Sequence, residues 1–406
     1  MFGCVKMSLL DKLSDKDSWE RFYSYKCSLA CKKTFTDELR AFIDNERYLP
    51  VCEKIRGGES FPLPQKSVIS KLDTGKKRTV YSYPEDENTV LKLLTYLMLR
   101  HYDHIFSRSL YSFRPAKTAK AAVRRISCTE HIGNMYSYKA DISDYFNSVP
   151  VERLLPQLKD VLSDDTELFS FLSALLTESR VIDRGKIISE QKGIMAGTPL
   201  SAFYANLYLK ELDFYFDSRD ILYSRYSDDI IVFAESEEEL CRHAEYIRTF
   251  LSSAGLSLNP DKELFSSPSD GWSFLGFTYK RGRLDISDIT VRKLKMKMRR
   301  KARALMRWRK RNGIPGEKAA MAFIRIFNRK LFEGGNDNEL TWALWFFPAI
   351  SSDEKLREID RYAQEQIRFL ISGTRKKSRY NVRYEDIKKL GYKSLVHEYY
   401  STKKKQ

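Results

Sequence analysis

The chain has 406 residues and a formal net charge of +17, with 71 Lys and Arg against 54 Asp and Glu. A chain of this length can bury a sizeable core and is expected to form two or three subdomains. The charge predicts a polyanionic partner, although basicity alone also fits a ribosomal or membrane-surface protein. There is no run of about 18 apolar residues and no signal-peptide core, so we expect a cytoplasmic protein with no membrane partner. The six Cys lack CxxC and zinc-finger spacing, which predicts reduced thiols and no structural zinc.

The first part of the chain shows helical and then hairpin patterns. Residues 1–60 carry apolar side chains near helical spacing, which predicts a helical segment. Strand-like residues 67–72 lead into Asp73-Thr-Gly75, a hairpin signal flanked by Lys71 and Arg78. Such a basic tip is commonly only solvated, and phosphate binding is the alternative.

A buried helix is predicted next, from about residue 88 to 102, because its leucines recur on one face. It is followed by Tyr111-Ser-Phe113-Arg114-Pro115 and by a helix through Val123. Arg114, which directly precedes a proline, is either a nucleic-acid contact or a structural plug.

Two acidic stretches carry the clearest chemical signal. A short predicted strand ends at Asp141, and two β-rich runs surround Ser227-Asp228-Asp229, which predicts a hairpin with two carboxylates at its tip. Neighbouring carboxylates repel each other, so a bound cation would stabilise them, although a solvated turn is the alternative. Metal-dependent phosphoryl transfer needs carboxylates from separate strands around two Mg²⁺ ions about 4 Å apart. Asp141 and Asp228 can supply that pair.

Helices are predicted around these stretches. Residues 151–185 are expected to be mainly helical. Residues 193–201 should open one long helix that continues to Asp213, with Ser201 suited to cap it. An amphipathic helix is predicted from Glu237 to Ala254.

The C-terminal part is predicted to be helical and basic. Three helices are expected, at about 289–312, 316–332 and 354–371. Residues 292–311 contain twelve Lys or Arg and no acid, and this segment accounts for most of the excess charge. The last segment interleaves basic residues with tyrosines, which suits either RNA stacking or a helical cap. The tyrosines are Tyr380, Tyr384, Tyr392, Tyr399 and Tyr400.

Four motifs, in order and over most of the chain, resemble those of reverse transcriptases. They are Asp141-Ile142-x-x-x-Phe146, Gly193-Ile-Met-Ala-Gly197-Thr-Pro-Leu-Ser201, Tyr226-Ser227-Asp228-Asp229 and Phe274-Leu-Gly276-Phe277. The resemblance implies an α+β, right-hand polymerase fold with an antiparallel palm sheet and a helical thumb. It implies a helical fingers segment at 1–60, fingers and palm at 61–282, a thumb at 283–373 and a basic tail at 374–406.

The resemblance also implies a catalytic centre. Asp141, Asp228 and Asp229 would be catalytic and would bind two Mg²⁺ ions, with Mn²⁺ as the alternative metal. Ile142 would add a further metal ligand. Lys262 lies where the family has a lysine near the leaving pyrophosphate, so it is a candidate general acid, with a surface lysine as the alternative.

Further positions match the family's nucleotide site. Lys71 and Arg78 correspond to the cations of a fingers hairpin that closes over a triphosphate, and Arg114 to a contact near template and nucleotide. Phe146 stands at the steric gate that excludes a 2′-hydroxyl, with a core aromatic as the alternative. Gly197 would allow close approach to a base pair. The family's Gln before this glycine is Ala196 here.

The resemblance assigns nucleic-acid contacts to the C-terminal half. Phe274 and Gly276 correspond to the grip on the primer. Lys295, Arg299 and Arg303 lie on the basic helix at the start of the thumb, where they would follow a phosphate backbone.

The implied function is RNA-directed DNA polymerisation, in which dNTPs are joined into DNA on a dedicated structured noncoding RNA. The nearest resemblance is to the defence-associated (unknown-group) bacterial enzymes, with the type 2 enzymes as one candidate, which predicts a role in defence against phage. No nuclease or integrase motif follows the predicted thumb. The alternatives are a retron-type enzyme, a template-independent abortive-infection polymerase, a group II intron-like enzyme without its endonuclease, and a non-catalytic RNA-binding protein. The oligomeric state is left open.

Overall fold

The computed structural model describes residues 7–29, 33–70, 77–333 and 341–404. Contacts divide the chain into two compact units, one formed by residues 1–26 and 34–270 and the other by residues 27–33 and 271–406. Both contain helices and antiparallel strands, which confirms the predicted α+β class. No helix in the described ranges is both long and apolar enough to cross a bilayer.

The helices before residue 270 follow the predicted pattern closely. Thr118, Asp165 and Ser236 cap three of them, each by accepting a hydrogen bond from a first-turn N–H. The helices are α1 (Lys16–Ser28), α2 (Lys33–Asp44), α3 (Tyr48–Arg56), α4 (Glu85–His101), α5 (Ala119–Ser127), α6 (Tyr145–Ser148), α7 (Val151–Val161), α8 (Thr166–Thr177), α9 (Ser201–Tyr208), α10 (Lys210–Asp217) and α11 (Glu237–Ser253).

One sheet of the first unit contains the predicted basic hairpin. Its strands are β1 (Gln65–Ser70), β2 (Lys77–Ser82), β4 (Arg180–Asp183) and β5 (Lys186–Ser189), in the order β2-β1-β4-β5. Strands β1 and β2 pair antiparallel, as a hairpin requires. The hairpin tip, with Lys71, lies outside the described residues.

The second sheet of this unit is the predicted antiparallel palm sheet. Its strands are β3 (Tyr136–Asp141), β6 (Tyr223–Tyr226), β7 (Asp229–Ala234) and β8 (Leu264–Ser266), in the order β6-β7-β3-β8. Every neighbouring pair is antiparallel. Residues 230–234 of β7 are all buried, and α11 packs against β3 and β7. Because successive side chains of a strand point to opposite faces, this continuous burial shows that both faces of β7 are covered by the protein.

The prediction of one long helix from Ser201 to Asp213 is wrong in one respect. The structure has two helices, α9 and α10, which meet at Leu209. The Leu209 N–H bonds to Leu207 O rather than to the carbonyl four residues back. That carbonyl, of Ala205, accepts from the Tyr145 hydroxyl at 2.6 Å instead. Ser201 is also not the cap, since its hydroxyl donates to the Thr198 carbonyl.

The second unit consists of a small sheet and a set of helices. Its strands, in the order β11-β10-β9, are β9 (Trp272–Phe274), β10 (Phe277–Lys280) and β11 (Arg283–Ile286). Its helices are α12 (Asp288–Arg311), α13 (Gly316–Leu331), α14 (Trp342–Phe346), α15 (Glu354–Ser372), α16 (Tyr384–Lys389) and α17 (Leu395–Lys403). Helix α15 packs against both α12 and α13, and the three predicted C-terminal helices are confirmed.

A buried carboxylate attaches the C-terminal segment to α15. Asp360 is 5% exposed, and its Oδ1 accepts from the Tyr392 hydroxyl at 2.6 Å and the Leu395 N–H at 2.9 Å. Its Oδ2 accepts from the Ser394 hydroxyl at 2.6 Å and the Val396 N–H at 3.1 Å. A carboxylate at the start of a helix satisfies N–H groups that the helix leaves unpaired. Asp360 therefore holds the beginning of α17 against α15.

Candidate active site

Three acidic residues lie at one end of the palm sheet, where β3 and β6 end and β7 begins. Asp141 is the last residue of β3 and the ladder partner of Asp229, the first residue of β7. Opposite residues of an antiparallel pair share a face of the sheet. Asp228 occupies the turn between β6 and β7, and its carbonyl accepts a hydrogen bond of 3.1 Å from the Ile142 N–H. The sheet thus brings the three predicted catalytic carboxylates together.

The turn that carries Asp228 has only two residues, since Tyr226 pairs with Asp229 across it. Ser227 has a φ of 60°, a left-handed conformation that is unfavourable for a residue with a side chain. Its carbonyl accepts a hydrogen bond of 3.2 Å from Arg225 Nη1. The strained turn is therefore supported from within the protein.

Arg225 belongs to a buried ion pair that the sequence analysis did not identify. Its Nε and Nη2 donate to Asp213 at 2.8 and 2.6 Å, and both side chains are almost fully buried. Burial lowers the pKa of Arg225, but the Asp213 carboxylate raises it more, so the guanidinium stays charged. The Tyr223 hydroxyl also donates to Asp213. The available signals in the sequence were an arginine between two tyrosines of β6 and an acid beside the apolar residues Leu212 and Phe216 of α10.

The carboxylates stand in a weakly solvated environment. Burial, followed by the charge of Asp141, raises the pKa of Asp228. Burial raises the pKa of Asp229 to about 6, although the Lys139 ammonium opposes this shift. Nearby positive charges therefore do not fully compensate the negative charge at the end of the sheet.

Lys262 is placed beside the carboxylates, as predicted. Its Nζ lies 2.6 Å from Asp141 Oδ2, and its side chain is 49% exposed. The short 3₁₀ turn Pro260–Lys262 begins after Asn259, whose side chain accepts from the Asp261 N–H. The Asn259 N–H in turn donates to the Asp141 carbonyl at 2.8 Å, so this turn is fixed to the end of β3.

Phe146 and Arg78 lie near one another on the same unit. Tyr145 is buried, and its hydroxyl bonds to the protein core, whereas Phe146 is only half-buried. The Arg78 guanidinium lies 5.8 Å from the centre of the Phe146 ring, and the Phe113 ring lies edge-on at 6.4 Å. The geometry leaves Phe146 available at the surface, and its role as a sugar gate stays a prediction.

The two glycines of the second motif, Gly193 and Gly197, are required by close packing. Gly193 has a φ of 52°, and a Cβ there would lie 2.5 Å from the Phe146 carbonyl oxygen. Gly197 has a φ of 101°, and a Cβ there would approach the Tyr81 carbonyl oxygen to 3.0 Å. The Ala196 carbonyl accepts from the Tyr81 N–H at 2.8 Å, so the loop lies against β2. Packing within the protein accounts for both glycines, and the nucleotide contact of Gly197 stays a prediction.

Comparison with protein families gives the assignment. The family model described as reverse transcriptase (RNA-dependent DNA polymerase) matches residues 65–279, which is more than half of the chain. This chain belongs to the reverse transcriptase family. The match contains Asp141, Asp213, Asp228 and Asp229, and it confirms the right-hand polymerase fold and the family that the motifs predicted.

The individual proteins that resemble this reverse transcriptase share little sequence identity with it. The retron Ec86 reverse transcriptase of Escherichia coli is 23% identical over 176 residues, which are 42% of this chain and 51% of the relative. The chain thus matches about half the length of that curated relative. Apo telomerase from Candida tropicalis gives a TM-score of 0.49 at 12% identity, covering 88% of this chain and 66% of that one. Telomerase from Candida albicans with a fragment of telomeric RNA gives 0.45 at 11% identity, covering 89% and 70%.

The site residues of this reverse transcriptase fit a divalent cation. Within the described ranges, no three Asp, Glu, His or Cys side chains are close enough to hold an ion by themselves. Mg²⁺, however, is usually held by one or two carboxylates, with water and substrate phosphates as further ligands. Asp141 and Asp228 offer such a set, although Lys262 Nζ already pairs with Asp141. Ile142 is held beside Asp228 through its N–H, and its role as a ligand stays a prediction.

The structure does not support the predicted nucleotide contact of Arg114. Its Nε and Nη2 donate to the Asp103 carboxylate at 2.7 and 2.9 Å. Its Nη1 donates to the Ser107 carbonyl at 2.6 Å, and the side chain is only 6% exposed. Through these contacts the guanidinium joins the Arg114 loop to the segment that contains Asp103 and Ser107. Arg114 therefore acts as the structural plug, which was the alternative prediction. We therefore leave Arg114 out of the nucleotide site.

The predicted primer grip lies in the second unit. Phe274 is 1% exposed, so its side chain supports the small sheet, and only its backbone could contact a primer. Gly276 has a φ of 89°, and its carbonyl accepts from the Ser287 N–H at 2.9 Å. This bond ties the loop between β9 and β10 to the start of α12.

The three predicted cations of α12 differ in their surroundings. Arg299 and Arg303 are exposed, and neither has an acidic partner within the described part of the chain. Lys295 is instead paired with Glu358 of α15, with 2.6 Å between Nζ and Oε1. Two of the three are thus available to a phosphate backbone.

The tail tyrosines also divide into two groups. Tyr392 donates its hydroxyl to Asp360, and Tyr399 is buried with its hydroxyl 2.9 Å from the Ile350 carbonyl. Stacking on RNA is therefore the wrong prediction for Tyr399, and the hydrogen bond of the half-buried Tyr392 supports the helical cap. Tyr380, Tyr384 and Tyr400 are 52%, 39% and 47% exposed, and they remain candidates for base stacking.

Proposed function

We propose that this protein is an RNA-directed DNA polymerase that joins dNTPs by two-metal phosphoryl transfer. The observation that carries the proposal is the β3–β7 register, with Asp141 opposite Asp229 and Asp228 in the adjoining turn. Bound Mg²⁺ would activate the primer hydroxyl and stabilise the leaving pyrophosphate. Asp141 and Asp228 would hold the ions, and Lys262 Nζ would supply a proton near the leaving group.

The test of this proposal is primer extension by carboxylate variants. Asp141→Asn and Asp228→Asn each remove a negative charge but keep the side-chain shape, so extension should fall by roughly a hundredfold or more. Asp160→Asn, at an exposed position on α7, is the matched control and should extend normally. Activity within a few-fold of wild type in either site variant, with Mg²⁺ or Mn²⁺, would reject the two-metal assignment.

We further propose that the template is one dedicated structured noncoding RNA and that the cDNA serves defence against phage in a bacterial cytoplasm. The net charge of +17 and the exposed cations of α12 support an extended polyanionic partner. The exposed tyrosines at 380, 384 and 400 could add stacking contacts that depend on the bases. The resemblance to the defence-associated enzymes supports the cellular role.

The partner proposal is tested by purifying the protein from its host together with flanking DNA and sequencing the bound RNA and its cDNA. One abundant noncoding RNA, with cDNA mapping to it, is the expected result. A broad sample of cellular transcripts would contradict it. The match with the Escherichia coli retron Ec86 reverse transcriptase supports the retron-type enzyme as the alternative.

A further inference from the structure

A cavity of about 430 Å³ in the first unit lies between α6, the start of α7, the end of α8 and the segment that follows β5. We call it the Lys192 pocket. Its volume is within the range of small-ligand sites, roughly 300–1,000 Å³. The described residues that line it include neither Phe146 nor the three carboxylates of the candidate active site. The pocket is therefore separate from the polymerase chemistry.

Lys192 is a buried cation without a partner. It lines the pocket and is 3% exposed, and its Nζ has no hydrogen-bond acceptor among the described residues. Burial lowers the pKa of Lys192, and the charges of Glu178 and Glu190 oppose this shift. Removing an ammonium from water without a hydrogen-bonded partner is strongly unfavourable. The protein therefore keeps at this position a donor that needs an acceptor.

The two carboxylates that act on Lys192 are already bonded to other cations. Glu178 accepts from Arg180 Nε and Nη2 at 2.9 and 2.7 Å. Glu190 is paired with Lys66. Neither carboxylate is hydrogen-bonded to Lys192. The acceptor for the Lys192 ammonium must therefore come from outside the described part of the chain.

Asn147 supplies a second, independent group that lacks a partner. It lines the same pocket, and its Oδ1 is buried with no hydrogen-bond donor among the described residues. Its Nδ2 donates to Asp144 Oδ1 at 2.9 Å, which fixes the orientation of the amide. Buried polar groups are nearly always hydrogen-bonded, so an unpaired one indicates a missing partner. The pocket thus offers one ligand both a donor and an acceptor.

The charges around the Lys192 pocket disfavour an anion. Among the described residues that line it, Lys192 is the one cation, whereas Glu152, Glu178 and Glu190 are acidic. Small-ligand sites usually combine apolar walls with a few polar groups that fix orientation. The apolar side chains of this pocket are Val149, Pro150, Val151, Leu155 and Leu176. The ligand should therefore be neutral, with apolar faces and with an acceptor next to a donor on its edge.

Among the nucleobases, guanine meets these requirements most fully. Its O6 and N7 are acceptors that a lysine ammonium commonly contacts, and its N1–H lies next to O6. Uracil has a similar carbonyl and N–H but no N7. Adenine has the opposite arrangement, with an amino donor in place of O6 and an acceptor at N1. It would place donor against donor at Lys192 and acceptor against acceptor at Asn147.

The Lys192 pocket borders the backbone of Phe146. Asn147 follows Phe146 directly, and the Phe146 carbonyl accepts a hydrogen bond of 2.9 Å from the N–H of Ile194, two residues after Lys192. A ligand held between Asn147 and Lys192 would therefore join the two segments that support the Phe146 ring.

We propose that the Lys192 pocket binds a guanine base, with O6 and N7 at the Lys192 ammonium and N1–H at Asn147 Oδ1. The base belongs either to an unpaired guanosine of a bound RNA strand or to a free guanosine compound. The strand source rests on the proposed function, whereas binding of guanine is independent of catalysis.

The first experiment uses guanosine itself, because it lacks the triphosphate that a polymerase site binds. The thermal denaturation midpoint is measured against guanosine concentration in metal-free buffer, since a ligand of the folded state raises it. Lys192→Met removes the ammonium but keeps a long side chain, and it should weaken binding by roughly tenfold to a hundredfold. Lys186→Met, at an exposed position of β5, is the matched control and should bind as wild type does.

The same variant gives a readout that a merely structural lysine would not. Without guanosine, Lys192→Met should denature at the wild-type temperature or above it, because an unpaired buried charge has been removed. A lower midpoint would show that Lys192 has a partner within the protein, and it would overturn the proposal.

Modified nucleosides test each contact from the side of the ligand. Inosine keeps O6, N7 and N1–H and should bind as guanosine does. 1-Methylguanosine lacks the N1–H donor, and adenosine reverses both groups, so each should bind at least roughly tenfold more weakly. Equal binding of guanosine and either of these two analogues would overturn the proposal.

The last experiment separates the two sources of the base, by fluorescence anisotropy with a short adenosine RNA that contains one central guanosine. If a strand supplies the base, this RNA should bind roughly tenfold more tightly than the all-adenosine RNA, and Lys192→Met should remove the difference. If a free compound supplies it, the two RNAs should bind equally while guanosine still raises the denaturation midpoint.

The proposal is overturned if neither the single guanosine in RNA nor guanosine itself has an effect on wild type, because water would then be the only occupant of the pocket. None of these measurements uses primer extension. An inactive polymerase would therefore reject the proposed function and leave the guanine site to be judged by binding alone.

Discussion

The β6–β7 hairpin and helix α12 present charge in opposite ways. In the hairpin, acidic residues are fixed by a strand ladder, a two-residue turn and a buried ion pair between Arg225 and Asp213. In α12, cations such as Arg299 and Arg303 project into solvent from a helix whose apolar face packs against α13 and α15. Chemistry at two metal ions requires exact placement, whereas attraction of a phosphate backbone requires only the right sign of charge.

The largest effect is expected when Arg225, which supports the β6–β7 hairpin, is replaced. Arg225→Ala leaves Asp213 buried without its partner, so unfolding free energy should fall by about 3–5 kcal/mol. The expected result is a lower denaturation midpoint together with loss of primer extension. Arg242→Ala is the matched control, because it removes an arginine from an exposed pair and should cost about 0–1 kcal/mol.

A double variant separates stability from positioning. Arg225→Met with Asp213→Leu replaces the buried pair by apolar side chains, which often restores stability. The Ser227 carbonyl would still lack its donor, so extension should stay low although the protein is folded. If the double variant recovers full activity, the ion pair serves only the core.

The next largest effect is expected on the choice between rNTPs and dNTPs, when Phe146 is replaced. Phe146→Val should raise the use of rNTPs relative to dNTPs by roughly tenfold to a hundredfold, because the smaller side chain leaves room for a 2′-hydroxyl. The measurement is the ratio of kcat/KM values for matched nucleotides. Tyr145→Phe, which changes only a buried hydroxyl, should leave the ratio unchanged. An unaltered ratio in Phe146→Val would assign this ring to packing.

The smallest effect is expected on nucleic-acid affinity when exposed cations of α12 are neutralised. It tests whether exposed charge acts only through its sign. Arg299→Gln with Arg303→Gln should reduce the slope of log affinity against log salt by about 0.9 for each phosphate that is no longer neutralised. Lys295→Gln should change it less, since this ammonium is already paired with Glu358. A filter-binding titration against duplex over several salt concentrations measures both. A larger effect of Lys295→Gln than of the double variant would contradict this interpretation of the surface.

The sequence predicted the positions of most helices and the Asp141–Asp228–Asp229 cluster, because these depend on local periodicity and on short motifs. It failed where a residue's role is set by a distant partner. The plug formed by Arg114 needs Asp103, and the break at Leu209 depends on Tyr145, which occupies the Ala205 carbonyl. Spacing along the chain cannot reveal such pairs.

The same reason explains the errors in the C-terminal tail. Tyr392 and Tyr399 are indistinguishable in sequence from the exposed tyrosines around them, since all stand among basic residues. Only contact with Asp360 and with the Ile350 carbonyl shows that these two pack against the helices of the second unit. Composition predicted that all five tail tyrosines could contact nucleic acid. After the tertiary contacts are considered, Tyr380, Tyr384 and Tyr400 are the remaining candidates.

The four hydrogen bonds to Asp360 also have a consequence for how the C-terminal segment resists cleavage. The segment that precedes α16 is exposed at Lys376 and Lys377 and offers basic residues to trypsin, yet a cut there would not release α17. The fragment would stay bound through Tyr392, Ser394 and the first N–H groups of α17, and would separate only in denaturant. Nicked protein should therefore keep its native size on gel filtration while showing two bands under denaturing conditions.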